Sequence, residues 1–305
     1  MRAAAFGSGL PRAVGARQDR PSAQVEAVAF DLDGVVWRGF DPIPHVREVI
    51  GQIRAAGLRV CFLSNYANRE RSHLCRRLAD IGIPAEVPDV FTSSFLAARH
   101  LHATRAGEHQ YVTIEDGDTL ARELRSFGMS AQALSSYTPR APESPCSVVV
   151  GYTEDFGYQD AAMLLRVSEH VDGLYATARD RWYAAQTGRL PASGWIVAAA
   201  EEILAQRAVT LGKPNALALR TVADALGVPV ARILMVGDSA ESDVGAARNA
   251  GAVSCLFREP GATGDRPSVS EPRADHVVTD LREVLRLLRP ARDPACAPPL
   301  GRGRG

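Results

Sequence analysis

Short apolar runs alternate with helical patterns along this sequence, and that alternation most restricts the possible fold. Six runs have the character of buried strands: 25–30, 58–65, 147–152, 174–178, 232–238 and 252–257. Four helical patterns end at a glycine, as helices often do: 46–57, 70–82, 216–227 and 242–251. The order strand, helix, glycine, strand is typical of a parallel sheet covered by helices, so we predict an α/β fold.

The chain divides into two predicted domains and two tails. Residues 1–24 and 290–305 lack apolar periodicity, which predicts disordered ends. Segments 25–88 and 190–289 resemble one continuous α/β unit, whereas 89–189 has strand and helix signals of its own. We therefore predict that 89–189 is a second α/β domain inserted into the first.

Composition restricts the expected cellular compartment and the expected classes of binding partner. The 305 residues carry 35 basic and 35 acidic side chains, so no net charge attracts nucleic acid or an anionic membrane. The five cysteines are scattered and never spaced as CxxC, which favours a reducing compartment. No apolar run reaches the roughly 20 residues that span a bilayer. We expect a cytoplasmic protein with a small-molecule substrate.

Polar residues follow three of the predicted strands: Asp31, Asp33 and Gly34 after the first, Ser64 and Asn65 after the second, and Asp238 and Asp243 after the fifth. The carboxyl ends of parallel strands are where such sheets bind ligands. Asp and Gly are also ordinary turn formers, so each signal alone is weak. Their joint placement favours a site over a set of turns.

The residue types in this set suit the transfer of a phosphoryl group. One carboxylate of the Asp31 and Asp33 pair can attack phosphorus, and the other can exchange protons with the departing oxygen. Asp31 and Asp238 offer the hard oxygen ligands that Mg²⁺ prefers. The Ser64 hydroxyl and the backbone N–H groups at Gly34 can donate to phosphate oxygens.

Lysine usage adds a further signal. Of the 35 basic residues only Lys213 is a lysine, and the others are arginines. Lysine is a compact point charge and arginine a wide planar fork, so a lone lysine in "LGKPN" either survives by chance or neutralises a phosphate.

Four motifs together resemble the haloacid dehalogenase-like superfamily of Mg²⁺-dependent phosphatases. They are "DLDGVVWRG" from residue 31, "FLSN" from residue 62, "GKPN" from residue 212 and "GDSAESD" from residue 237. The resemblance covers most of residues 25–289. It implies a Rossmann-like parallel sheet core with Asp31 as nucleophile, Asp33 as general acid and base that also lends a carbonyl to Mg²⁺, Lys213 as a catalytic cation and Asp238 as a metal ligand.

The same resemblance implies roles for the remaining site residues. Asp243 would lie behind the metal ligands. Phosphate and substrate binding would fall to Gly34, Ser64, Asn65, Trp37, Arg38, Thr177 and Asp180. Trp37 and Arg38 are either packing residues or part of a rim of the site, and their place directly after the Asp pair favours the rim.

The position of the insertion indicates which branch of the superfamily the chain resembles. Ser64 and Lys213 lie 149 residues apart, which leaves room for a C2-type cap domain. This arrangement is similar to subfamily IIA, which contains NagD-like, phosphoglycolate and p-nitrophenyl phosphatases, and such caps select the substrate. The cap loop departs from the branch pattern at Ala178, Ala184 and Ala192, which leaves the substrate open.

The expected activity is Mg²⁺-dependent hydrolysis of a small phosphate monoester through an aspartyl-phosphate. A phosphotransferase or mutase of the same fold and a non-catalytic phosphometabolite-binding protein are the alternatives. No nucleic-acid or membrane partner is expected, and a homodimer stays open.

Overall fold

The computed structural model describes residues 25–105, 109–137, 145–185, 188–259 and 272–288. The tails predicted at 1–24 and 290–305 lie outside the described residues. Within the described ranges, no helix is long and apolar enough to cross a membrane.

The described ranges contain fifteen β-strands and nine α-helices. The strands are β1 (Ala27–Phe30), β2 (Trp37–Arg38), β3 (Asp41–Pro42), β4 (Arg59–Ser64), β5 (Val90–Thr92), β6 (Gln110–Ile114), β7 (Ser130–Ala133), β8 (Cys146–Val150), β9 (Val171–Ala176), β10 (Trp182–Ala185), β11 (Gly188–Pro191), β12 (Val209–Thr210), β13 (Ile233–Gly237), β14 (Val253–Phe257) and β15 (His276–Val278). The helices are α1 (Val46–Ala55), α2 (Arg71–Asp80), α3 (Ser93–Thr104), α4 (Thr119–Ser126), α5 (Tyr158–Val167), α6 (Gly194–Leu204), α7 (Ala216–Leu226), α8 (Gly245–Ala250) and α9 (Val284–Leu287).

The first sheet has six parallel strands in the order β15-β14-β13-β1-β4-β5. The chain starts in the middle with β1, continues outward on one side through β4 and β5, and later fills the other side from β13. Successive strands are thus added to the sheet first on one side of β1 and then, from β13, on the other side. Such a reversal opens a crevice at the carboxyl ends of the strands.

Strand β1 supplies side chains to both faces of this sheet. Val28 and Phe30 pack into a core with α1, α2 and α9, whereas Ala27 and Ala29 face a second core with α7 and α8. All four residues are fully buried. The continuous apolar run of β1 thus follows from helices on both faces, which confirms the predicted α/β class.

A second sheet, also parallel, has the order β12-β9-β8-β6-β7. Helices α5 and α6 pack on one face, and α3 and α4 contribute to the core on the other face. Two short antiparallel ribbons, β2-β3 and β10-β11, complete the strand pairing in the described ranges.

The limits of the second sheet differ from the insertion predicted at 89–189. Strand β5 pairs with β4 of the first sheet, although it lies inside the predicted insertion. Helix α6 and strand β12 pack with the second sheet, although both come after residue 189. Apolar periodicity locates these elements but does not tell which sheet they join. We propose that the inserted domain spans about residues 93–211, and we call it the cap unit and the remainder the core unit.

Two ion pairs join α2 of the core unit to α4 of the cap unit. Glu70, at the N-cap of α2, pairs with Arg122. The next residue, Arg71, pairs with Glu123 at 3.2 Å. The charges of the two neighbouring pairs are therefore in opposite order on the two helices.

The central position of β1 leads to a stability prediction. Replacing the fully buried Phe30 with alanine should lower the free energy of unfolding by about 3–5 kcal/mol, because it removes apolar contacts and leaves a cavity. Phe40 is 81% exposed, so Phe40→Ala should cost less than about 1 kcal/mol. Denaturant unfolding followed by circular dichroism measures both. Similar losses in the two variants would contradict this description of the core.

Candidate active site

Residues that follow β1, β4 and β13 line one cavity of about 470 Å³, together with residues of the cap unit. Most of the predicted site residues line it: Asp31, Asp33, Gly34, Arg38, Ser64, Asn65, Thr177, Asp180, Lys213, Asp238 and Asp243. Trp37 is the predicted site residue that does not. The strand order explains the convergence, because β1 lies between β13 and β4.

Lys213 lies at the floor of this cavity with its ammonium group buried. Its Nζ donates to Oδ1 of Asp31 at 2.7 Å, to Oδ1 of Asp243 at 2.6 Å and to the carbonyl of Leu63 at 3.1 Å. Burial alone would lower the pKa of Lys213, but the carboxylates of Asp243 and Asp31 raise it above its ordinary value. The side chain is therefore a permanent positive charge whose three donors are all used.

Three carboxylates crowd around this single ammonium. Asp31, Asp238 and Asp243 each place an oxygen within 4.8 Å of the others. Burial raises the pKa of Asp31, and Lys213 opposes this while Asp243 and Asp238 reinforce it. Burial and the neighbouring Asp243 raise the pKa of Asp238 to about 7. The cluster therefore holds more negative charge than one lysine balances.

This donor set fits a divalent cation. Asp243 already uses one oxygen for Lys213 and the other for the backbone N–H of Ser239, at 3.0 Å. Asp31 and Asp238 are thus the carboxylates with oxygens available for a metal. Two carboxylates that leave room for water and a phosphate oxygen are typical of Mg²⁺ sites.

The carboxylate of Asp33 is oriented by a hydrogen bond from the buried side chain of Trp37. The indole Nε1 of Trp37 donates to Oδ1 of Asp33 at 3.0 Å, and the guanidinium of Arg77 lies 3.9 Å from the Trp37 ring centre. Burial raises the pKa of Asp33, although hydrogen bonds from Tyr66 and Trp37 oppose the increase. Asp33 thus retains a proton more readily than an ordinary aspartate.

Trp37 differs from its predicted place at the rim of the site. Its side chain is fully buried and orients Asp33 rather than facing the cavity. The sequence places Trp37 four residues after Asp33, and the turn between them brings the indole back to the carboxylate. Arg38 does line the cavity, where it pairs with Glu259 at 2.8 Å.

Gly34 brings the backbone directly against Asp238. Its φ is +83°, a left-handed conformation that glycine adopts without strain. A Cβ at this position would overlap with the carboxylate of Asp238. The glycine is therefore required both by the turn after β1 and by the position of Asp238.

Asn65 joins four segments of the site through its side-chain amide. Its Nδ2 donates to Oδ2 of Asp180 at 2.7 Å, to the carbonyl of Lys213 at 3.1 Å and to Oγ of Ser242 at 3.2 Å. Its Oδ1 accepts from the backbone N–H of Lys213 at 3.0 Å. The amide was predicted to bind phosphate or substrate, but the structure engages both of its polar atoms with the protein.

Asp180 and Thr177 lie on the cap-unit loop that faces the core unit. Burial raises the pKa of Asp180, and the hydrogen bond from Asn65 opposes this. The Thr177 hydroxyl donates to the carbonyl of Val150 at 3.1 Å and is fully buried. Ser64, after β4, is 4% exposed, and its Oγ accepts from the N–H of Tyr66 at 3.3 Å.

Several cavity residues were not identified from the sequence: Tyr66, Arg69, Tyr152, Arg181 and Tyr183. Trp182, which the sequence left open as a core residue or a substrate wall, lines the cavity. Tyr66 and Tyr152 each come two residues after a strand, so the strand-end argument could have found them. Arg181 and Tyr183 lie at the start of a short ribbon that has no comparable signal. Ala178 and Ala192, which depart from the branch pattern, are buried beside them in the cavity wall.

Comparison with known proteins identifies relatives across most of the chain. A family model described as haloacid dehalogenase-like hydrolase matches residues 28–142, and one described as HAD-hydrolase-like matches residues 210–284. Mouse chronophin is 32% identical over 229 residues, which are 72% of this chain and 76% of that protein. Glycerol-3-phosphate phosphatase of Gallus gallus is 33% identical over 240 residues, with 73% and 76% covered.

Solved structures share the fold. A p-nitrophenyl phosphatase from Archaeoglobus fulgidus superimposes with a TM-score of 0.74 at 23% identity, covering 87% of this chain and 99% of that one. A glycerol phosphate phosphatase from Mycobacterium tuberculosis in complex with magnesium has a TM-score of 0.73 at 24% identity, covering 86% and 77%.

The contact of Gly34 with Asp238 can be tested by adding one methyl group. Gly34→Ala should displace the Asp238 carboxylate and reduce the thermal stabilisation of the protein by Mg²⁺. Gly57→Ala is a matched control, since Gly57 has φ +78° and a Cβ there meets no described atom within 4 Å. Thermal unfolding with and without Mg²⁺ measures the effect. An equal response to Mg²⁺ in both variants would contradict the assignment.

The Asn65–Asp180 contact predicts energetic coupling between the core unit and the cap unit. Asn65→Ala, Asp180→Ala and the double variant form a cycle, and we expect a coupling energy of about 1 kcal/mol in the free energy of unfolding. Denaturant unfolding of the four proteins gives this value. Additive effects would show that the hydrogen bond does not join the two units.

Proposed function

This chain belongs to the haloacid dehalogenase-like hydrolases, and we propose on that premise that it hydrolyses small phosphate monoesters with the help of Mg²⁺. One observation carries the proposal: the Lys213 ammonium lies between Asp31 and Asp243, next to Asp238, at the floor of a cavity. A carboxylate held in this way can face a phosphate without prohibitive repulsion, because the Lys213 ammonium offsets part of the negative charge and a Mg²⁺ ion on Asp31 and Asp238 would offset more.

Asp31 is the proposed nucleophile. Its hydrogen bond with Lys213 fixes the orientation of the carboxylate. In the first step a carboxylate oxygen of Asp31 forms a bond to phosphorus while the bond from phosphorus to the ester oxygen breaks. The phosphoryl group is then bound covalently to Asp31.

Asp33 is the proposed general acid and base. Its raised pKa favours the protonated form that the first step requires, in which the proton passes to the departing ester oxygen. In the second step the ionised Asp33 accepts a proton from water as the water oxygen attacks phosphorus. The bond from phosphorus to Asp31 breaks, and inorganic phosphate leaves.

Mg²⁺ held by Asp31 and Asp238, with the Asp33 carbonyl as the ligand that the family resemblance implies, would neutralise charge on the phosphate. The protein's own contribution is to place the ligands. Gly34 allows the close approach of Asp238, and Asp243 ties Lys213 to the same cluster. The Ser64 hydroxyl is available as a donor to a phosphate oxygen.

The substrate class rests on relatives and on the cavity. Relatives are named as phosphatases of glycerol 3-phosphate and of sugar phosphates. The cavity of about 470 Å³ is within the range that binds small molecules. We infer a small organic phosphate, selected by cap-unit residues.

Asp31→Asn should reduce hydrolysis of p-nitrophenyl phosphate by at least about 1,000-fold, because an amide does not attack phosphorus. Asp41 is exposed and outside the cavity, so Asp41→Asn should retain the rate. Phosphate release in Mg²⁺ and in EDTA measures both variants, with circular dichroism to confirm folding. Full turnover by Asp31→Asn, or turnover that EDTA leaves unchanged, would refute the mechanism.

A further inference from the structure

Two arginines at the rim of the catalytic cavity have no partner in the described part of the chain. Arg69 follows β4 in the core unit and Arg181 precedes β10 in the cap unit, and both side chains are exposed. Within the described ranges neither guanidinium makes a hydrogen bond, an ion pair or a ring contact. Arg38, by contrast, is paired with Glu259.

We propose that Arg69 and Arg181 bind a second oxyanionic group, a carboxylate or a phosphate, on the leaving group of the substrate. This inference rests on the proposed function, since it concerns the part of the ester that departs. It restricts the substrate class to phosphate monoesters that carry a further negative charge.

The site for the transferred phosphoryl group does not require these arginines. Its cations would be Lys213 and the Mg²⁺ ion that Asp31 and Asp238 would hold. A guanidinium presents a planar fork of donors that matches a carboxylate or a phosphate, whereas a lysine acts as a point charge. The two guanidiniums, one from each unit, therefore bind a second anionic group of the substrate. Such a group reaches them only if the substrate extends from the floor of the cavity to its rim.

Acidic residues at the same rim define the competing possibility. Glu154 and Glu241 also line the cavity, and Tyr152 donates to Glu154 at 3.4 Å. Glu241 has no partner in the described ranges, so it could attract a positively charged leaving group. The rim thus holds two carboxylates and two guanidiniums, and the planar donor forks of the two arginines, one on each unit, are the feature that favours an anion. A cationic probe separates the two.

An aromatic wall makes phenyl phosphates suitable probes. Trp182 and Tyr183 line the cavity beside Arg181, and the Tyr152 and Tyr183 hydroxyls lie 3.4 Å apart. A phenyl ring can pack on such side chains and carry a substituent opposite the phosphate. Ring substituents of similar size then differ mainly in charge, so a comparison of their phosphates reports which charge the rim prefers.

The experiment compares kcat/KM for 4-carboxyphenyl, 4-carbamoylphenyl and 4-(aminomethyl)phenyl phosphate, measured by release of inorganic phosphate in Mg²⁺. We expect the carboxylate to exceed the carboxamide by about tenfold or more, the range of a charge-assisted hydrogen bond. Arg69→Gln and Arg181→Gln should each move this ratio towards one. Because the ratio is compared between proteins, the intrinsic reactivity of the two phenols cancels.

Matched controls come from exposed arginines outside the cavity. Arg76 in α2 and Arg166 in α5 are exposed and do not line it, so Arg76→Gln and Arg166→Gln should keep the ratio of the parent protein. Melting temperatures of all variants confirm that the substitutions leave the fold intact.

The outcomes separate this inference from the proposed function. A carboxylate-to-carboxamide ratio that both Gln variants leave at the parent value, or a rate with the aminomethyl probe that falls in both Gln variants, would each overturn the inference while hydrolysis itself stands. Failure to hydrolyse any of the three probes would instead overturn the proposed function and, with it, the inference.

Discussion

The buried ammonium of Lys213 is the interaction on which the site depends. Placing three carboxylates close together, with Asp31 and Asp243 buried, is unfavourable unless positive charge accompanies them. Lys213 contacts two of these, Asp31 and Asp243, and a carbonyl of the neighbouring strand, so it brings together three segments that are remote in the chain. The remaining excess of negative charge then creates the place for a metal ion.

Much of this arrangement could be predicted because it follows from strand ends. The apolar runs that became β1, β4 and β13 are buried on both faces, and the polar residues behind them have to emerge at one edge of the sheet. Asp31, Ser64 and Asp238 were found by that argument alone. The single lysine in an arginine-rich sequence indicated Lys213, because the two cations differ in shape rather than in charge.

The parts that escaped prediction depend on contacts between distant residues. Nothing in the local pattern tells that Trp37 turns back to Asp33, or that the Asn65 amide is occupied by Asp180 and the Lys213 backbone. Sheet membership was missed for the same reason: β12 is too short to have a pattern of its own, and its pairing with β9 depends on the path of the chain around it. The contacts that these site residues make, and the selection of the substrate, therefore depend on tertiary geometry.

The two ion pairs between α2 and α4 have a consequence for how the units can move. Glu70 with Arg122 and Arg71 with Glu123 are arranged so that acid and base alternate in opposite order. A shift of α4 by one residue in one direction would place Glu123 opposite Glu70, and a shift in the other direction would place Arg122 opposite Arg71. Like charges in contact repel, so either shift would replace attraction by repulsion. The two ion pairs therefore favour one alignment of α4 against α2.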